Sequence, residues 1–181
     1  NQVPIFDAVN LLILNESTVL YLVSCSANWN GFVYLSKILK KNHNITVISI
    51  PPEIYCGTHL DSTLAVLNNK YMLYCGERIS EKQVFDLCKN YGYNNPENYI
   101  KVEKEDMTDV GLFRQDQNFA SIYIGMNLLA LNDNTLIVEQ KQVNLIKKLK
   151  SKGFRILTVA YPHMRSMGGG IHCTTLPLLR E

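Results

Sequence analysis

Apolar and polar positions follow one pattern three times along the chain. The first occurrence reads VNLLIL-NES-TVLYLV over residues 9–23, the second STLAVL-NNK-YMLYCG over 62–76, and the third MNLLAL-NDN-TLIVE over 126–139. Each consists of two apolar runs of strand length around a turn rich in Asn and Asp, residues that tolerate the left-handed backbone of tight hairpins. A stretch with helical spacing follows each hairpin, over residues 28–41, 81–91 and 142–150. Phe32, Leu35, Ile38 and Leu39 mark an apolar face in the first of these, and Val143, Ile146 and Leu149 in the third. Gly153 stands where the third helix should stop. A short apolar run closes each unit, at 45–50, 99–103 and 154–160. The pattern predicts strand, turn, strand, helix, strand, repeated over 5–52, 59–103 and 123–181. Repetition on this length scale predicts units that bury their faces against one another around an axis. Residues 104–122 are polar, acidic and aperiodic, and are read as a surface loop or lid.

Composition narrows the classes of function. The 181 residues are 46% hydrophobic and 19% charged, with a net charge of +2, which describes one globular domain. The Lys pairs 40–41 and 147–148 fall near predicted helix ends, where cations are common, and no basic run points to nucleic acid. No apolar stretch is long enough for a membrane-spanning helix. The first residues lack the pattern of a secretory signal, and the chain opens directly into a strand-like segment, as a fragment or one half of a cleaved protein would. The cysteines, Cys25, Cys56, Cys75, Cys88 and Cys173, are odd in number and widely spaced. Neither a disulfide framework nor a structural zinc site is expected, and a reducing compartment, cytoplasm or organelle matrix rather than the exterior, fits them.

Chemistry-bearing residues gather at the edges of the repeats. Gly168, Gly169 and Gly170 stand shortly before Cys173, in MGGGIHCTT. Glycines permit unusual backbone angles and close approach of a ligand. His59 and Asp61 open the second repeat in CGTHLD, two apart and so on one side of an extended segment. Asp7 opens the first repeat in IFDAVN, and Arg78 follows the second hairpin. A Cys thiolate is a nucleophile, a nearby His serves as its acid and base, and a carboxylate orients that His. Further carboxylates hold a guanidinium through paired hydrogen bonds. Such residue types also occur in structural roles. Cys173 could be a small core residue, His59 a hydrogen-bonded loop histidine, Asp7 and Asp61 turn caps, and Arg78 a surface turn residue. His172 is read as a support for the loop.

GGGIHCTT resembles the nucleophile motif of the amidinotransferases, HLDSTLAVL their HxDxT motif, and FDAVNLLIL their FDAAN segment. IGMNLLALNDNTLIVE resembles a further block before the last helix. The likeness spans nearly the whole chain and identifies it with the guanidine-modifying superfamily, which also includes arginine deiminases and dimethylarginine hydrolases. It implies the pentein fold, an α/β propeller of five ββαβ units, of which about three are present here. It implies that Cys173 attacks the guanidino carbon of an arginine-like substrate to form a covalent amidino-thioether. His59 would protonate the departing amine and then deprotonate the acceptor, with Asp7 orienting it. Asp61 would bind the guanidinium and Arg78 the substrate carboxylate, while Asn127, Gly169 and Gly170 would line the substrate site. No metal or organic cofactor is implied, and the missing units would come from a second chain or fragment. The segment after Cys173, LPLLR, departs from the amidinotransferase pattern, and so does Leu11, where an Arg-Gly is usual. Transfer to an amine therefore stands beside hydrolysis of the intermediate by water, and beside a non-catalytic fragment that only binds a partner.

Overall fold

Three asparagines make the same local bond at the same point of each repeat. Asn15 Oδ1 accepts the Ser17 N–H, Asn68 Oδ1 accepts the N–H groups of Lys70 and Tyr71, and Asn132 Oδ1 accepts the Asn134 N–H. These bonds reverse the chain and set the register of the hairpins they close. The computed structural model describes residues 3–57, 59–108, 121–161 and 168–175. Of the stretch read as a lid, 109–120 lie outside them, as do Thr58, His163, Met167 and the residues after Thr175.

The first unit holds β1 (Leu11–Asn15), β2 (Thr18–Tyr21), α1 (Trp29–His43) and β3 (Thr46–Ser49). The second holds β4 (Leu64–Val66), β5 (Met72–Cys75), α2 (Glu81–Cys88) and β6 (Tyr99–Val102). The third holds β7 (Leu129–Asn132), β8 (Thr135–Glu139), α3 (Val143–Ser151) and β9 (Arg155–Val159). In each sheet the second strand is central, antiparallel to the first and parallel to the third. The parallel step needs a crossover, which the helix supplies. Helix ends follow local chemistry. Asn28 caps α1 by accepting the Gly31 N–H, and Ser80 and Gln83 form a reciprocal capping box on α2. Gly153, just past α3, adopts φ 93°, a left-handed angle at which a Cβ is strained.

The units pack face to face. Met72 and Tyr74 of β5 point into a cluster with Leu20 and Leu22 of the first unit, closed by Val84 and Leu87 of α2. Leu73 and Cys75, on the opposite face, join Leu136 and Val138 of the third unit and Leu145 and Leu149 of α3. All four residues of β5 are therefore buried, at roughly 1.5–3 kcal/mol for each large apolar side chain. The outer flanks differ. α1 buries Gly31 alone, whereas α2 buries Val84, Leu87 and Cys88. β9 has no buried position. Exposed apolar groups include Ile5, Phe6, Ile13, Trp29 and Tyr34 in the first unit, and Leu131, Val143 and Leu157 in the third.

The beginning of the 104–122 stretch is pinned to α3. Lys148 pairs with Asp106, Asn144 donates to the Glu105 carbonyl, and Gln142 exchanges two hydrogen bonds with the Thr108 backbone. Among the described residues, no helix is long and apolar enough to cross a membrane.

Candidate active site

The segments that precede the first strands of two units meet the loop that follows β9. Asp7 sits at a short turn before β1, where its Oδ1 accepts the Val9 N–H at 3.3 Å. The Val9 carbonyl in turn accepts the Leu60 N–H at 3.2 Å. That bond draws residues 59–61 alongside the opening of the first unit, and it leaves His59 Nε2 3.8 Å from Asp7 Oδ2. Asp7 therefore caps its turn with one oxygen and faces the imidazole with the other. Both side chains are about two-fifths exposed, so the pair opens to solvent.

Asp61, two residues on, turns inward and is 8% exposed. Its Oδ2 lies 3.3 Å from Cys173 Sγ and 3.2 Å from His172 Nδ1. The Asp61 carboxylate thus meets a thiol and an imidazole that are neighbours in sequence and more than a hundred residues away from it. Burial alone would raise the Asp61 carboxyl, but hydrogen bonding from His172, the facing Asn127 amide and Cys173 outweighs it and holds the group below the ordinary carboxylate range. Cys173 shifts the other way. Burial pushes the thiol up, the Gly170 backbone N–H draws it down, and the Asp61 charge pushes it up again, with a net rise. A carboxylate beside a half-buried thiol therefore favours the protonated sulfur until a cation reaches the site.

Residues that the sequence did not single out hold the 59–63 segment in place. The Tyr55 hydroxyl donates to the His59 carbonyl at 3.4 Å and accepts the Thr63 hydroxyl at 2.8 Å. Thr63 is fully buried, which gives the threonine of HLDST a structural reason. Its partner was invisible in sequence, because Tyr55 carries no motif. The Arg78 guanidinium donates to the Ser62 carbonyl, to the Ser62 and Thr63 hydroxyls, and to Ser121, and it lies over the Tyr123 ring. Arg78 is thus bonded to the residue that directly follows Asp61.

Gly169 and Gly170 line a small open cleft with Gly125, Asn127, Glu139, Gln142 and Tyr161. Of the remaining cysteines, Cys75 and Cys88 are buried and Cys25 and Cys56 are exposed. Burial pushes Cys88 up to about 12, which leaves it inert at neutral pH. Among the described residues, no cluster of His, Cys, Asp and Glu could hold a metal ion.

Three ββαβ units, with a cysteine, a histidine and a carboxylate meeting where their loops converge, have the architecture of a pentein. The sequence profile of the arginine deiminase family matches residues 6–180, and the chain belongs to that family. It is similar to inosamine-phosphate amidinotransferase 1 of Streptomyces griseus, with 31% identity over 99% of this chain and 48% of that protein. It is also similar to the mitochondrial glycine amidinotransferase of Gallus gallus, at 22% identity over 98% of this chain and 39% of that protein. The solved structure of the Streptomyces griseus enzyme superposes with a TM-score of 0.85 at 30% identity, again over 99% of this chain and 48% of that one. A dimethylarginine dimethylaminohydrolase shares the fold at 17% identity, with a TM-score of 0.66 over 94% of this chain and 56% of the other. The chain spans about half the length of the curated amidinotransferases it matches.

Proposed function

We propose that this chain carries the nucleophile-bearing half of an amidinotransferase, which moves the amidino group of an arginine-like donor to an amine acceptor. The observation that carries the proposal is the contact between Cys173 Sγ and the buried Asp61 carboxylate, together with the His59–Asp7 pair, whose His59 stands two residues before Asp61. Amidinotransferases among the similar proteins support transfer as the outcome.

The chemistry follows from the charges. A guanidinium entering beside Asp61 brings a cation to a group already held ionised, and paired N–H donors suit a carboxylate. The same cation offsets the charge that keeps Cys173 protonated, so once substrate is present the thiol releases its proton to solvent and the thiolate forms, with His59 entering the next step as the imidazolium. The thiolate adds to the planar guanidino carbon. That tetrahedral adduct collapses by breaking the bond to the donor's amine, which takes a proton from His59 as it leaves. The product is an amidino-thioether on Cys173. Neutral His59 then removes a proton from the acceptor amine, which attacks the same carbon and releases the thiolate. Asp7 steadies the imidazole in both steps.

Two flanks of the arc expose apolar groups and bury little. In the amidinotransferase reading they dock the further ββαβ units that close a five-unit ring, supplied by another segment of the same protein or by a second chain. Those units would also contribute to the substrate site.

The test is product analysis with full-length protein, arginine and a panel of primary amines. Ornithine together with a new guanidino compound supports transfer. Citrulline and ammonia would replace it with hydrolysis. Loss of arginine consumption in Cys173→Ala is required in either case, and persistence of turnover in that variant would overturn the mechanism.

A further inference from the structure

Three consecutive peptide groups of the nucleophile loop end on one residue. The Asn127 carbonyl accepts the N–H of Ile171 at 3.0 Å and that of His172 at 3.2 Å. Its side-chain Oδ1 accepts the Cys173 N–H at 3.0 Å. Asn127 is only 2% exposed, so these bonds are sheltered from water. Gly170 packs flat against the carboxamide. A Cβ at that position would lie 2.7 Å from both Cβ and Oδ1 of Asn127, closer than real contacts allow. The glycine is thus required by Asn127 as well as by any ligand in the cleft.

One atom of this clamp is unspent. Asn127 Nδ2 is buried and makes no hydrogen bond of ordinary geometry, although the amide faces both Asp61 and Cys173, where it helps hold the carboxyl ionised and draws the thiol down. A buried donor without a partner is unfavourable, so a state of the site that supplies a partner is favoured. Ionisation of Cys173 creates such a state. The thiol now donates to Asp61; once its proton has left, Asp61 has lost a donor and faces a second negative charge.

We propose that Asn127 is the positioning residue of the nucleophile: its two oxygens fix the backbone of residues 171–173, and its Nδ2 donates to Asp61 when the thiol gives up its proton. In the free protein that proton passes to water. Asn127 thereby lowers the cost of forming the thiolate without touching the substrate. The resemblance put Asn127 among the residues that line the substrate site; its acceptors also hold the nucleophile loop. The inference rests on Cys173 being the nucleophile of the proposed reaction.

The test is the pH dependence of Cys173 alkylation by iodoacetamide in the full-length protein, followed peptide by peptide so that exposed Cys25 and Cys56 serve as internal controls. Asn127→Asp keeps an acceptor for the Cys173 N–H and replaces the donor with a repelling oxygen. The alkylation midpoint should rise by about one pH unit or more, roughly a tenfold slowing at a fixed pH below it. kcat should fall further than KM changes. Gly170→Ala, which displaces the same carboxamide, should move the midpoint in the same direction and decides the matter if Asn127→Asp fails to fold. A midpoint unchanged in the folded variant, even with a lowered melting temperature, would reduce Asn127 to a structural role and overturn the inference. A midpoint that moves in a protein whose wild type transforms no guanidine would instead remove the proposed reaction and leave the positioning role standing.

Discussion

Cys173 Sγ lies 3.3 Å from Asp61 Oδ2, so the group suited to bind a cationic substrate also opposes ionisation of the nucleophile. One charge serves both purposes, and removing it should separate them. Asp61→Asn takes away the repulsion but leaves an amide of the same shape. Cys173 should then alkylate faster than in wild type at pH 7, while turnover of arginine falls by at least about 100-fold because a charge-assisted anchor is lost. Peptide-resolved alkylation and product analysis on one preparation check both halves. Slower alkylation in the variant would show that Asp61 activates the sulfur instead.

His59 and Asp7, at 3.8 Å and open to solvent, carry the proton transfers in the proposed reaction. The demand for a proton depends on the leaving group. An amine cannot depart without one, whereas an alkyl thiolate can. His59→Ala should therefore lose roughly 10²–10⁴ in kcat/KM on arginine, the usual range for a general acid. It should lose much less on the S-alkylisothiourea analogue that expels a thiolate. Equal losses on the two substrates would place His59 in binding or folding rather than in acid catalysis. Asp7→Asn should show the same selectivity with a smaller amplitude.

Arg78 holds Ser62, Thr63 and Ser121 through four hydrogen bonds. Lysine cannot reproduce a planar fork. Arg78→Lys should lower stability by about 1–3 kcal/mol, read by urea unfolding, because several of those bonds go unmade. If the guanidinium also grips the donor's carboxylate, the variant should raise KM for arginine more than for its decarboxylated analogue. A rise common to both substrates would confine Arg78 to supporting the segment that bears Asp61.

The repeats were legible because hydrophobic alternation and Asn turns are local signals. Asn15, Asn68 and Asn132 could be placed on hairpins without knowing what packs on them. The expected helix over 81–91 ends at Cys88 and continues as a tighter turn through Tyr91, a change at the terminus that propensity resolves poorly. The resemblance paired Cys173 with His59 and gave Asp61 to the guanidinium; the contacts of Asp61 with His172 and Cys173 were not anticipated, since no local periodicity reports a contact across more than a hundred residues. Tyr55 and the clamp role of Asn127 stayed hidden as well. Tyr55 bonds the His59 carbonyl and the Thr63 hydroxyl from outside any motif, and Asn127 bonds backbone N–H groups of a distant loop, which leave no mark in a sequence.

Ionisation of two buried groups should shape the stability curve from opposite ends. Asp61 is held below the ordinary carboxylate range in the folded state. Its contribution is complete above the unfolded value near 3.9 and is lost as the pH falls through the lower folded value. Cys88, raised by burial to about 12, behaves inversely. Its proton is kept by the folded state and released by the unfolded one, so its contribution is complete below about 8.5 and declines as the pH rises toward 12. Melting temperatures from pH 2 to 11 should therefore show an acid limb that Asp61→Asn flattens and an alkaline limb that Cys88→Ala flattens. The Cys88 variant should also start from a lower plateau, because the side chain is fully buried and its removal leaves a cavity. An alkaline limb of unchanged slope in that variant would assign it to other buried acids that share the shift, Tyr74 and Tyr99 among them.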